Sequence, residues 1–254
     1  MPARVDLNCD MGESFGAWRM GADDEVMPSI TSANVACGFH GGDPSVMRAT
    51  VRLAKAAGVA VGAHPGFPDL VGFGRREMRL SPGEVEDGVL YQVGALAAVA
   101  HAEGLRLQHV KAHGALYNMA VRDTALADAI ARATAAFDRS LVLFALPASP
   151  LFEAGRAAGL RVAAEGFADR SYESDGTLTP RSIPGAVIHD PAAVVARARR
   201  MVTDGVVLTR EGREVALRVE TLCVHGDTPG AADLTRRLRA ALSEAGVDVR
   251  AVGA

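Results

Sequence analysis

Alternation along Asp6-Leu7-Asn8-Cys9-Asp10 puts two carboxylates and an amide on one face of a strand, with Leu7 and Cys9 on the other. His109-Val110-Lys111-Ala112-His113 repeats the design, with His109, Lys111 and His113 opposite Val110 and Ala112. Thr221, Cys223, His225 and Asp227 likewise oppose Leu222 and Val224. Shorter strands end at His64, at Glu165 and around Asn34. Asp6, Asp10 and the nearby Glu13 form the densest acidic group, and carboxylates this close share a proton, hold a metal or bind a cation. For Asp6 the alternative is an ion pair with an inward Lys or Arg deep in the core. Asp10, at the C-terminal end of its strand, is the stronger site residue.

Other candidates follow the same logic. His40 and His64 sit in Gly/Pro-rich turns after strands, where a ring can serve as general base, oxyanion donor or metal ligand. The chain has 25 arginines but only two lysines, Lys55 and Lys111. Lys55 falls on a helix and points to solvent. Lys111 faces inward, where it can neutralise a carboxylate or phosphate, or lose its proton if desolvated. Tyr117 and Asn118, read as a short loop, and Asn8 and Asn34 supply hydrogen bonds to a substrate. Glu165, Asp169, Arg170 and Tyr172 cluster after another strand. Asp227 is placed to orient His225, or either could ligate a metal.

Such groups need strands that all end at one mouth. Strands are expected at 6–10, 32–37, 59–63, 107–112, 141–146, 161–165, 219–224 and near 247–252. Helices are expected at 44–57, 81–103, 122–137, 149–158, 191–204 and 229–245. Asp43 before Pro44 reads as an N-cap with proline in the first turn, and Ser81-Pro82-Gly83-Glu84 has capping-box spacing. A long loop spans 166–190, and a hairpin pairs 206–208 with 214–217. Strands alternating with helices imply parallel strands and helical crossovers. Polar inner faces on so many strands favour a TIM-like (β/α) barrel, one domain over 1–254, above the rival open doubly wound sheet.

Composition narrows the function classes. At 49% hydrophobic and 22% charged, with net charge −3, the chain can bury a large core and lacks the basic excess that nucleic acid or anionic membrane demands. The arginines at 197–200 and 236–237 read as solvated helix faces. Three cysteines without metal-binding spacing fit a reducing compartment, and the early first strand leaves no room for a signal segment, so a cytoplasmic protein is expected. No Gly-x-x-x-x-Gly-Lys-Ser/Thr, Gly-x-Gly-x-x-Gly or His-Glu-x-x-His pattern occurs.

The segments Asp6 to Glu13, Ser32 to Pro44, Gly62 to Asp69, Val110 to Asn118, Glu165 to Tyr172 and Leu222 to Asp227 together resemble the LamB/YcsF family of bacterial 5-oxoprolinase components. Ala112 departs from it, standing where the family's Lys-Pro-His-Gly segment has proline. The resemblance implies a barrel related to glycoside hydrolase/deacetylase folds. It also implies ATP-dependent opening of the 5-oxoproline (pyroglutamate) lactam to L-glutamate, with ADP and phosphate released, in a complex with two further subunits, B and C. ATP would enter as MgATP, bound here or by those partners. From side-chain chemistry, Lys111, His113 and Arg170 suit developing negative charge, while Asp10, Glu165 or His64 could activate water. Two other readings stand beside this one. The first is a metal-dependent carbohydrate or amide hydrolase using Asp10, His40, His64 and His225; the second is a non-catalytic component that presents the substrate.

Overall fold

The computed structural model describes residues 3–224 and 230–253. The strands are β1 (Arg4–Met11), β2 (Ser32–Ala36), β3 (Ala60–His64), β4 (His109–Val110), β5 (Val142–Ala145), β6 (Arg161–Phe167), β7 (Val206–Leu208), β8 (Glu214–Ala216), β9 (Thr221–Val224) and β10 (Asp248–Val249). The helices are α1 (Asp23–Val26), α2 (Pro44–Ala57), α3 (Pro82–Ala102), α4 (Gly114–Ala120), α5 (Thr124–Phe137), α6 (Pro150–Ala157), α7 (Pro191–Thr203) and α8 (Ala231–Glu244).

Seven parallel strands close a ring in the order β1-β2-β3-β4-β5-β6-β9, and β9 returns to β1. The barrel expected from the polar strand faces is therefore what forms, with seven staves rather than eight. β10 adds to the N-terminal half of β1, pairing Arg4 with Asp248, while β7 and β8 make the expected antiparallel hairpin. The outward strand residues Val5, Leu7, Cys9, Val35 and Ala63 are buried under the helices, as burial of apolar area requires.

Local chemistry fixes the helices. Asp43 accepts hydrogen bonds from the Ser45 and Val46 backbone N–H groups at 2.8 and 3.1 Å, and α2 stops at a left-handed Gly58. Ser81 and Glu84 complete both halves of the capping box that opens α3. Among the described residues no helix is long and apolar enough to cross a membrane. The clustered arginines of α7 and α8 include exposed partners of Asp204, Glu214 and Asp233.

Two local expectations change. Tyr117 and Asn118 lie on α4, not in a loop, because the chain turns helical directly at Gly114. β4 is only two residues long, but its pairing continues informally: Lys111 N–H donates to the Ala63 carbonyl at 2.9 Å and His113 N–H to that of Pro65 at 2.8 Å. Lys111 and His113 therefore project from backbone held as firmly as a strand.

Candidate active site

The inward side chains of β1, β2, β4, β6 and β9 stack in layers. At the bottom, Asp6 is fully buried and accepts hydrogen bonds from Thr31 and Thr221 at 2.5 Å and from Ser32 at 2.7 Å. The expected Lys or Arg partner is not there: three hydroxyls replace it. Burial raises the Asp6 pKa even though those hydroxyls oppose the shift.

Above it runs an amide relay. His109 Nε2 meets Asn34 Oδ1 at 2.7 Å, Asn34 Nδ2 donates to Asn8 Oδ1 at 2.7 Å and Asp10 Oδ1 at 2.8 Å, and Asn8 Nδ2 donates to Thr221 at 2.7 Å and Glu165 Oε1 at 3.1 Å. Each amide commits its donor and acceptor capacity to neighbouring staves, which fixes Asp10 and Glu165 from below. Asn8 and Asn34 are thus buried beneath Asp10 and Lys111 and do not reach the cavity surface.

Lys111 crowns the stack. Its ammonium lies 2.6 Å from Asp10 Oδ1, 3.5 Å from Glu165 Oε1 and 3.0 Å from Cys223 Sγ, and the residue is 2% exposed. Burial by itself would lower its pKa, but Asp10, Cys223 and Glu165 more than offset that and hold it well above the ordinary lysine value. Lys111 therefore stays charged, and the alternative of a neutral amine is not realised. Burial raises Glu165 above the usual carboxylate range, with Lys111 opposing. Tyr117 is pushed well up by burial and then by Glu165.

Beside Lys111 sits a group of imidazoles. His64 Nδ1 donates to the Lys111 carbonyl at 2.7 Å, so its Nε2 carries the lone pair, 3.3 Å from Asp10 Oδ2. His113 Nε2 donates to the Phe73 carbonyl at 2.8 Å, leaving the lone pair on Nδ1. Phe73 itself is left-handed, with φ 55°. His40 stacks flat on His113 with ring centroids 3.7 Å apart. Burial, with the neighbouring rings second, lowers the pKa of both His40 and His113, so His113 is a neutral ring and not a cation. One ligand atom from each of Glu13, His40, His64 and His113 lies within 4.8 Å of the others, the one such cluster among the described residues.

A cavity of about 510 Å³ opens over this layer; Asp10, His64, Lys111, His113 and Tyr117 line it. Its far wall is the 177–182 segment, and Arg75, Arg122 and Arg181, against Glu77 and Asp123, leave its lining basic on balance. Asn118 is exposed in that lining. Arg170 reaches the cavity wall, but its guanidinium is committed to the Thr179 and Ala186 carbonyls at 2.7 and 3.2 Å, a tether for the wall. His225 and Asp227 fall outside the described residues.

Asp10, His64, Lys111, His113 and Glu165 thus meet, from four strands far apart in sequence. Sequence reasoning misses Cys223 as a partner for Lys111, although its place on the polar face of β9 is the signal. It finds Glu13 as an acid but not as a neighbour of imidazoles, because the turn that carries it back has no periodicity. Arg75 and Arg122 carry no signal at all.

The sequence model of the LamB/YcsF family matches residues 5–254. A protein from Symbiobacterium thermophilum, named as the A subunit of 5-oxoprolinase, is 64% identical over 251 residues, 99% of this chain and 96% of its own length. Its namesake from Thermus thermophilus is 59% identical over 248 residues, 98% of this chain and 99% of its own. The crystal structure of a lactam utilization protein from Thermus thermophilus superposes with a TM-score of 0.93 at 57% identity, covering 98% of this chain and 99% of the other.

Proposed function

The chain belongs to the LamB/YcsF family, and on that premise we propose that it opens the 5-oxoproline lactam to L-glutamate. The opening is coupled to ATP hydrolysis, with ADP and phosphate released, and the chain works in a complex with subunits B and C. The observation that carries this reading is the Lys111 ammonium held by two carboxylates at the floor of a cavity whose lining is basic on balance.

A five-membered lactam is a stable amide. Phosphorylation of its carbonyl oxygen activates the carbon for attack by water; the C–N bond then breaks to leave an acyl phosphate, and a second water releases phosphate and glutamate. Lys111 supplies fixed positive charge for the anionic tetrahedral species, in a site where little reorganisation is needed. Asp10, whose Oδ1 is held by Lys111, takes the proton of the attacking water. Asp10 can then return that proton to the departing ring nitrogen. The basic balance of the lining suits the substrate carboxylate or a phosphate. MgATP is supplied to this complex, and the absence of a phosphate-cradling loop in this sequence favours its binding on one of the partners.

The test is glutamate release from 5-oxoproline by each purified component, singly and in combination, with and without ATP. Release should require the assembled complex and ATP together. Release by this chain on its own, or by the complex without ATP, refutes the coupling.

A further inference from the structure

We propose that Glu13, His40, His64 and His113 form a binding site for one divalent transition-metal ion of the zinc class. The inference stands apart from the lactam reaction and would survive its failure. It begins with His40, which is 1% exposed, and neither of whose ring nitrogens has a hydrogen-bond partner among the described residues. Burying an imidazole unsatisfied is costly, and a native core does so rarely.

The two neighbouring rings sharpen the case. His64 and His113 each commit their N–H to a backbone carbonyl, which can only accept. The remaining nitrogens, His64 Nε2 and His113 Nδ1, are then two lone pairs facing each other across 2.9 Å. Only a positive centre makes that contact favourable. A metal ion is such a centre, and it takes the neutral form of both rings.

Distances and charge fit as well. Glu13 Oε1 lies 3.4 Å from His113 Nδ1 and 3.6 Å from His40 Nε2. A tetrahedral site with bonds of roughly 2.0–2.1 Å has ligand-to-ligand edges of about 3.4 Å. Three imidazoles and one carboxylate are donors for zinc, cobalt or nickel and not for magnesium or calcium, which take oxygen. The carboxylate offsets half of a dication's charge, and Asp10 stands next to the cluster on the His64 side. Backbone closes over the rings: a Cβ on Gly74 would come within 2.8 Å of both His113 and His40, so the pocket is shaped to hold them. His64 and His113 line the cavity, which gives an ion its approach.

The chelator-treated full chain is titrated with Co²⁺ alone, followed by visible absorption and calorimetry. One equivalent should bind with the d–d bands of a tetrahedral nitrogen and oxygen site, and Zn²⁺ should displace it. Loss of even an outer-shell partner weakens metal binding by about 10- to 100-fold, so His40→Ala, which removes a ligand, should weaken it by more than about 100-fold. His101→Ala, an exposed imidazole on α3, should leave it unchanged. A wild-type chain with no saturable band overturns the proposal, as does a folded His40→Ala chain that binds normally. If His40→Ala fails to fold, Glu13→Gln decides, and unchanged affinity there overturns it equally.

Discussion

Replacing Lys111 by Met removes the one cation that two carboxylates share. At an effective dielectric near 20, contacts of 2.6 and 3.5 Å come to roughly 10 kcal/mol of gross attraction, most of it offset by the desolvation of three buried groups. Breaking such a pair from one side typically costs about 3–5 kcal/mol, because the partners stay buried and uncompensated. For a chain of this size that is a fall in Tm of about 6–20 °C. Turnover should fall further than stability explains: a lost oxyanion-stabilising group typically costs about 10²–10³ in kcat. Adding Glu165→Gln to Lys111→Met removes one stranded carboxylate and should recover part of the Tm without recovering turnover. The assays are calorimetry on the chain and 5-oxoproline hydrolysis by the assembled complex at a temperature where the variant is folded. A folded Lys111→Met chain with near-normal turnover, or one with an unchanged Tm, refutes the reasoning.

Acid should loosen the barrel through His109, whose pKa is lowered to about 3 by burial first and Lys111 second. The unfolded chain binds the proton near pH 6.5, so its excess of bound protons makes stability fall as pH drops from about 6.5 towards 3. His40 and His113 act in the same direction. Melting temperatures between pH 7 and 4 should therefore decline, and His109→Gln should flatten the profile; an identical slope in the variant rejects His109 as a contributor. Gly62→Ala would drive a methyl group into the His109 ring and should destabilise by about 1–3 kcal/mol or more, whereas Gly94→Ala on α3 meets open space and should be neutral or stabilising. Equal melting temperatures for these two alanine variants would contradict the packing seen around His109.

The barrel is readable because a period of two leaves no ambiguity: Asp6, Asn8 and Asp10 must share a face, and a face so polar needs an enclosed partner. Asp43-Pro44 and Ser81 to Glu84 mark their helix starts because caps act within four residues. What cannot be read is set by tertiary geometry. That Asp6 is served by hydroxyls depends on the stagger between β1, β2 and β9. That Arg170 braces a loop depends on carbonyls 9 and 16 residues away. α4 escapes sequence reasoning because His113-Gly114 looks like a turn and its seven residues are too few for a clear 3.6 period.

The segment from Asp169 to Ile188 is laced mainly to itself. Ser171 N–H donates to the Ala186 carbonyl, Thr179 N–H to that of Ser171, and Ile188 N–H to that of Asp169, while the Tyr172 hydroxyl receives the Phe167 N–H at the barrel's edge. The molecule thus separates two inheritances, a rigid stave set that fixes the reaction and a pre-folded cheek that shapes what fits against it. Grafting a different cheek onto the same staves is the economical path by which this architecture could take up ligands of other sizes.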